Sequence, residues 1–108
     1  MFDSAFDLGY NSYTKLVMAM EEKIIVHPRV TERHSELAEE DVRHAYWNAI
    51  RFAPRLDRRS EEYAGVGPDR RGRNVEIVGR FLPTGEFLIF HAYRPATNKI
   101  LVELGLRR

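Results

Sequence analysis

His91 and Glu76 are the side chains of this sequence best suited to moving a proton, and Arg80, Tyr93 and Arg94 lie near enough along the chain to share their surface. An imidazole ionises near neutrality and serves as acid or base. A carboxylate orients it or acts as base itself, a phenol stacks on a nucleobase or donates a proton, and guanidinium groups hold a phosphate as negative charge builds. Together these are the groups needed to cleave RNA without a metal: one deprotonates the 2′-hydroxyl, another protonates the leaving 5′-oxygen. A solvated sheet face also carries mixed polar and aromatic residues, and a cross-strand pair such as Glu76 with Tyr93 is an ordinary stabiliser. His27, His34, His44 and His91 follow no metal-ligand spacing, there are no cysteines, and Gly65-Val66-Gly67 lacks the helix of a nucleotide-binding fingerprint, so neither metal nor cofactor is expected.

Positioning these groups requires a β-hairpin. Asn74 to Leu82 and Phe87 to Arg94 read as two strands flanking Thr84-Gly85, which sets Leu82 opposite Phe87, Val78 opposite His91 and Glu76 opposite Tyr93. Side-chain alternation then assigns Val75, Ile77, Gly79, Phe81, Leu88, Phe90 and Ala92 to an apolar face that packs on a helix. Glu76, Val78, Arg80, Leu82, Phe87, Ile89, His91 and Tyr93 share the other.

Upstream, Lys23 to His27 is β-branched and closed by Pro28, a short strand. Glu39-Glu40-Asp41 suits a first helical turn, and Val42, Ala45, Tyr46, Ala49 and Ala53 recur at helical spacing, predicting a helix from about 38 to 53. Its opposite face stacks Arg43, Trp47 and Arg51, either as a cover for the core margin or as a surface for a partner. Tyr63 to Gly67 reads as a strand running into a Gly67-Pro68-Asp69 turn and a basic tip, Arg70-Arg71-Gly72-Arg73. Thr97 to Leu104 reads as a helix ended by Gly105.

The length of 108 residues suits one domain, residues 21–108, with residues 1–20 as an N-terminal extension. The absence of cysteine removes thiolate chemistry and disulfides and is compatible with a reducing compartment. No apolar run approaches the roughly 20 residues that span a bilayer, and the opening lacks the pattern of a secretory signal, so a cytoplasmic protein without membrane contact is expected. The formal charge of +1 hides an asymmetry: residues 63–108 carry 4 acids and 8 bases, an excess that suits a polyanionic partner.

Three blocks, HSELAEEDVRHAYWNAI from His34, GVGPDRRGR from Gly65 and HAYRPATNK from His91, resemble in order and spacing the BrnT branch of the RelE/ParE toxin superfamily over about two-thirds of the chain. The resemblance implies an α+β fold, a small antiparallel sheet of about four strands against two or three helices. It also implies the toxin of a type II toxin–antitoxin pair, an endoribonuclease of the mRNA-interferase type. Its partners would be a cognate antitoxin and RNA, free or on the ribosome. Arg94 and Thr97 look like the basic and hydroxyl positions of the RxAT segment, Arg71 and Arg73 resemble the basic turn, and His91 and Lys99 fit the basic groups near the last strand and helix. The N-terminal twenty residues have no counterpart, and the last helix is shorter and less basic than in BrnT-like chains. The alternative is a non-catalytic interaction module, using the sheet face and the Arg43-Trp47-Arg51 stripe. An open sheet edge suits an antitoxin strand or a homo-oligomer.

Overall fold

The structure is a computed structural model and describes residues 23–56 and 61–108; the expected extension, residues 1–20, lies outside them. Strand β1 (Ile24–Val26) is the short β-branched run before Pro28. Pro28 then opens a helix that sequence patterning does not announce, α1 (Pro28–Arg33). Its first turn is capped by His27, whose Nδ1 accepts from the Arg29 amide at 3.1 Å.

Helix α2 spans Glu39–Trp47, not 38 to 53. Asn48 ends it by donating its side-chain amide to the His44 carbonyl at 2.9 Å. The chain beyond is strand β2 (Arg51–Pro54), paired antiparallel with β3 (Tyr63–Pro68) so that Phe52 faces Gly65 and Ala53 faces Ala64. The helical spacing of Ala49 and Ala53 was coincidental. Ala45 is buried beneath α2, whereas Ala53 packs on the opposite face of the sheet. Strands β4 (Asn74–Phe81) and β5 (Phe87–Tyr93) form the expected hairpin, and helix α3 (Asn98–Glu103) is capped by Thr97.

The sheet has five strands in the order β1-β5-β4-β3-β2. It is mixed, because β1 runs parallel to β5, and this corrects the expected sheet of about four antiparallel strands. The architecture is nonetheless a small α+β fold. Helices α1 and α2 cover one face, where Val30, Leu37, Val42 and Ala45 pack on Val75, Ile77 and Ala92. On the other face α3 lays Ile100 and Leu104 over Ala64, Val66 and Val78.

The hairpin register holds from Glu76 opposite Tyr93 to Val78 opposite His91, then shifts at a bulge between Val78 and Gly79 that pairs Gly79 with Ile89 and Phe81 with Phe87. The extra residue reverses the alternation. Phe87 and Ile89, assigned by simple alternation to the His91 face, are instead buried with α2, while Phe90 packs on the α3 side. Phe87 becomes the centre of an aromatic cluster, with Tyr46, Phe52 and Phe81 ring centroids 5.1, 5.4 and 4.9 Å away.

Candidate functional site

Glu76 projects from β4 toward the α3 side, and its carboxylate is nearly buried, 5% exposed. Oε2 lies 2.7 Å from His91 Nε2 on the neighbouring strand. Oε1 accepts from the Thr97 amide at 2.7 Å and from its hydroxyl at 2.6 Å. Burial alone would push this carboxyl up, but the hydrogen bonds from His91 and Thr97 outweigh it and hold it below the usual carboxylate range. The Thr97 oxygen in turn accepts from the Ile100 amide at 3.4 Å, so one carboxylate anchors both the imidazole and the entry to α3.

His91, Thr97 and Lys99 line a cleft of about 450 Å³ floored by Val78, Phe90 and Ile100. His91 keeps 42% of its side chain exposed. Arg55 borders the same cleft, clamped to Glu103 through two hydrogen bonds of 2.7 and 2.9 Å and to Glu62 at 3.4 Å. Nothing in the sequence pattern pointed to Arg55, because it and Glu103 are far apart along the chain and meet only through the crossing of β2 and α3.

Other expected site residues lie elsewhere. Arg80 stands over the Phe90 ring, 5.7 Å from its centroid, and does not line the cleft. Tyr93 packs edge-on against His34 at 4.9 Å. Arg94 donates to Asp69 and to the Glu36 carbonyl, each at 3.3 Å, and borders a second cleft with Glu36, Asp41, Arg70, Arg71 and Arg73. Of the five residues expected to act together, Glu76 and His91 are thus in contact, with Thr97 and Lys99 beside them, while Arg71 and Arg73 join Arg94 in the other cleft.

Asp69 organises that second cleft. Its side chain is fully buried; Oδ1 accepts from the Arg71 and Arg73 amides at 2.8 Å each, and Oδ2 meets Arg73 Nε at 2.9 Å. Burial pushes this carboxyl up, and the Arg73 and Arg71 amides with the Arg73 guanidinium bring it below the usual range. Asp41, on α2, accepts from Arg70 Nε at 2.8 Å and from the Arg70 amide at 3.0 Å. The Arg70 guanidinium beside it lowers its carboxyl from 3.8 to about 2. Asp69 carries a legible signal, since an aspartate in a turn commonly bonds the amide two residues on.

The expected Arg43-Trp47-Arg51 stripe is dispersed. Arg43 binds Glu39 at 2.9 Å and the Ile24 carbonyl at 3.0 Å, Trp47 packs against the α2 core, and Arg51 belongs to β2. Among the described residues no group of three or more His, Cys, Asp or Glu side chains is placed to hold a metal ion, and no helix is long and apolar enough to cross a membrane.

The lowered carboxyls make stability acid-sensitive with a definite sign. The unfolded chain takes up protons first, so the contribution of Asp41, Asp69 and Glu76 is complete above the ordinary carboxylate range and is lost as pH falls through their folded values. For Asp41 the loss runs from 3.8 down to about 2. Urea midpoints should therefore hold steady near neutrality and decline below about pH 4. A profile flat to about pH 2 would mean that these contacts do not stabilise the fold.

Set against known proteins, the chain matches no family model, no curated protein and no solved structure.

Proposed function

We propose that this chain is a metal-independent endoribonuclease with a RelE/ParE-like fold, the cytoplasmic toxin of a type II toxin–antitoxin pair, with the cleft beside α3 as its active site. The observation that carries the reading is the 2.7 Å contact between buried Glu76 and half-exposed His91 at the wall of that cleft. A carboxylate holding one ring nitrogen fixes both orientation and tautomer, leaving the other free to accept a proton. With the Nε2 proton donated to Glu76, His91 Nδ1 takes the proton of a substrate 2′-hydroxyl. The 2′-oxygen then attacks phosphorus and the bond to the 5′-oxygen breaks, leaving a 2′,3′-cyclic phosphate and a 5′-hydroxyl whose proton comes from Lys99 or water. Lys99 supplies positive charge at the cleft, and the Phe90 floor offers a surface for a base.

The resemblance of the chain to BrnT-like toxins supports the toxin role, and the antitoxin would cover the cleft or extend the sheet. Strand β2 has β3 as its strand neighbour and stands at the end of the sheet order, the position at which an added strand would pair.

Induced expression in a bacterial host, with growth and bulk RNA followed together, tests the reading. Wild type should arrest growth and cut RNA. His91→Gln, which keeps a donor for Glu76, should lower cleavage by purified protein about a hundredfold while remaining folded. Normal growth and intact RNA at confirmed soluble expression would overturn the reading in favour of a non-catalytic interaction module. Undiminished cleavage by folded His91→Gln would instead overturn the assignment of the active site to the Glu76–His91 cleft.

A further inference from the structure

The cleft on the α2 side is built differently from the one beside α3. Its volume is about 530 Å³, and the side chains that border it are all charged: Arg70, Arg71, Arg73 and Arg94 with Glu36 and Asp41. Of its carboxylates, Asp69 and Asp41 are committed to the protein's own donors, while Glu36 stands half exposed at the edge. Asp69 lies fully buried behind the arginines with both oxygens occupied, Asp41 is held by Arg70, and the Glu36 carboxylate lies 3.8 Å from His34 Nδ1.

The guanidinium groups are not committed to the same degree. Arg70 donates to Asp41 from Nε and one terminal nitrogen, Arg73 to Asp69 from Nε, and Arg94 once from each terminal nitrogen. The Arg71 side chain makes no hydrogen bond or ion pair among the described residues; only its backbone amide is used, on Asp69. Each guanidinium has five N–H donors, so most of those in the cluster have no acceptor among the described residues. Asp69 Oδ2 holds both the Arg73 and the Arg94 guanidinium groups, and Asp41 holds that of Arg70. Guanidinium groups gathered at one cleft in this way offer the paired N–H donors that the oxygens of a tetrahedral oxyanion accept.

We infer that the Arg70, Arg71, Arg73 and Arg94 cleft is a phosphate-binding site, distinct from the Glu76–His91 cleft and on the other face of the sheet. The ligand chemistry is a phosphate group, carried either by a free phosphomonoester or by the backbone of a nucleic acid. The site does not depend on the chain cutting RNA. Absence of RNA cleavage by the wild-type protein, with phosphate binding intact, would overturn the reading of the α3-side cleft alone.

Two titrations of the intact protein, followed by NMR shifts of the Arg71 and Arg73 amides and the arginine Nε signals, separate the sources. One uses inorganic phosphate carried to about 50 mM, well past the millimolar range of a weak site. The other uses a 2′-O-methylated single-stranded oligonucleotide of about 12 nucleotides, which the proposed chemistry cannot cleave. Arg71 lies on the rim and holds no carboxylate, so Arg71→Ala and Arg71→Glu should fold. Saturable phosphate shifts, weakened about tenfold by Arg71→Ala and abolished by Arg71→Glu, are expected. If the source is a nucleic acid backbone, the oligonucleotide also binds, and Arg71→Ala reduces the slope of log K against log salt by about 1. The inference is overturned if phosphate leaves these signals unmoved and oligonucleotide binding is the same in Arg71→Glu as in wild type.

Discussion

Asp69→Ala is expected to lower stability by about 3–5 kcal/mol, the loss associated with removing one partner of a buried charge network. The carboxylate is fully buried and accepts four hydrogen bonds: two from the Arg71 and Arg73 amides, one from Arg73 Nε at 2.9 Å and one from Arg94 at 3.3 Å. Removing it strands two backbone amides and leaves Arg94, whose side chain is only 14% exposed, without its anion. The β3–β4 turn and the exit of β5 meet at this residue, so the whole end of the sheet should loosen. In a domain of this size such a loss corresponds to a fall in melting temperature of roughly 15–25 °C. Asp69→Asn should fall between the two, because its carbonyl oxygen can still accept the amides while its NH₂ group faces a guanidinium. A denaturant midpoint for Asp69→Ala within about 1 kcal/mol of wild type would show that the network holds shape without holding stability.

Gly67→Ala should be comparably severe, by roughly 3 kcal/mol or more, for a reason of space and not of charge. Helix α2 rests directly on the backbone of β3. A methyl group at Gly67 would run into the Ala45 carbonyl oxygen, lie 2.9 Å from its carbon and 3.0 Å from the Ala49 Cα. All of these are backbone atoms, so no side chain can rotate away and the helix itself must lift from the sheet. Gly85→Ala is the contrasting case. It sits in the β4–β5 turn at φ 94° with open space around it, so the conformational strain is about 1–2 kcal/mol with no steric term. Thermal unfolding of the two variants side by side decides the matter, and equal losses would refute close helix–strand packing at Gly67.

The two clefts follow from features with different visibility in the sequence. The pairing of Val78 with His91 and Glu76 with Tyr93 agrees with the expected register, but not by inheritance from the turn: Phe81, not Leu82, lies opposite Phe87, and the bulge between Val78 and Gly79 brings the strands back to the expected pairing beyond it. The same reasoning failed nearer the turn, where one bulged residue carried Phe87 and Ile89 to the opposite face. A bulge has no composition of its own here. At the bulge Gly79 lies hard against β5, where an added Cβ would run into the Leu88 carbonyl oxygen and come 2.7 and 2.9 Å from atoms of the Phe87 ring. The helix predicted to 53 failed because local spacing does not see the partner strand: the helix ends at Trp47, and pairing of residues 51–54 with β3 overrides the helical preference of Ala53.

The sequence by itself determined the elements with strong local signals: the β-branched β1, the acidic start of α2, the β4–β5 hairpin and the Thr97-capped α3. It also placed the chemistry-bearing residues at the end of that hairpin, within reach of one another along the chain. Only the tertiary structure decided which side of the sheet each would serve. Arg94 follows His91 by three residues, yet it turns to Asp69 in the α2-side cleft while His91 holds Glu76 beside α3. The parallel addition of β1 and the meeting of Arg55 with Glu103 were likewise beyond local pattern. The physical reason is common to all of these. Alternation and propensity act over a few residues, whereas the choice among faces, edges and ion-pair partners is made by groups that are remote in sequence and compete for the same buried space.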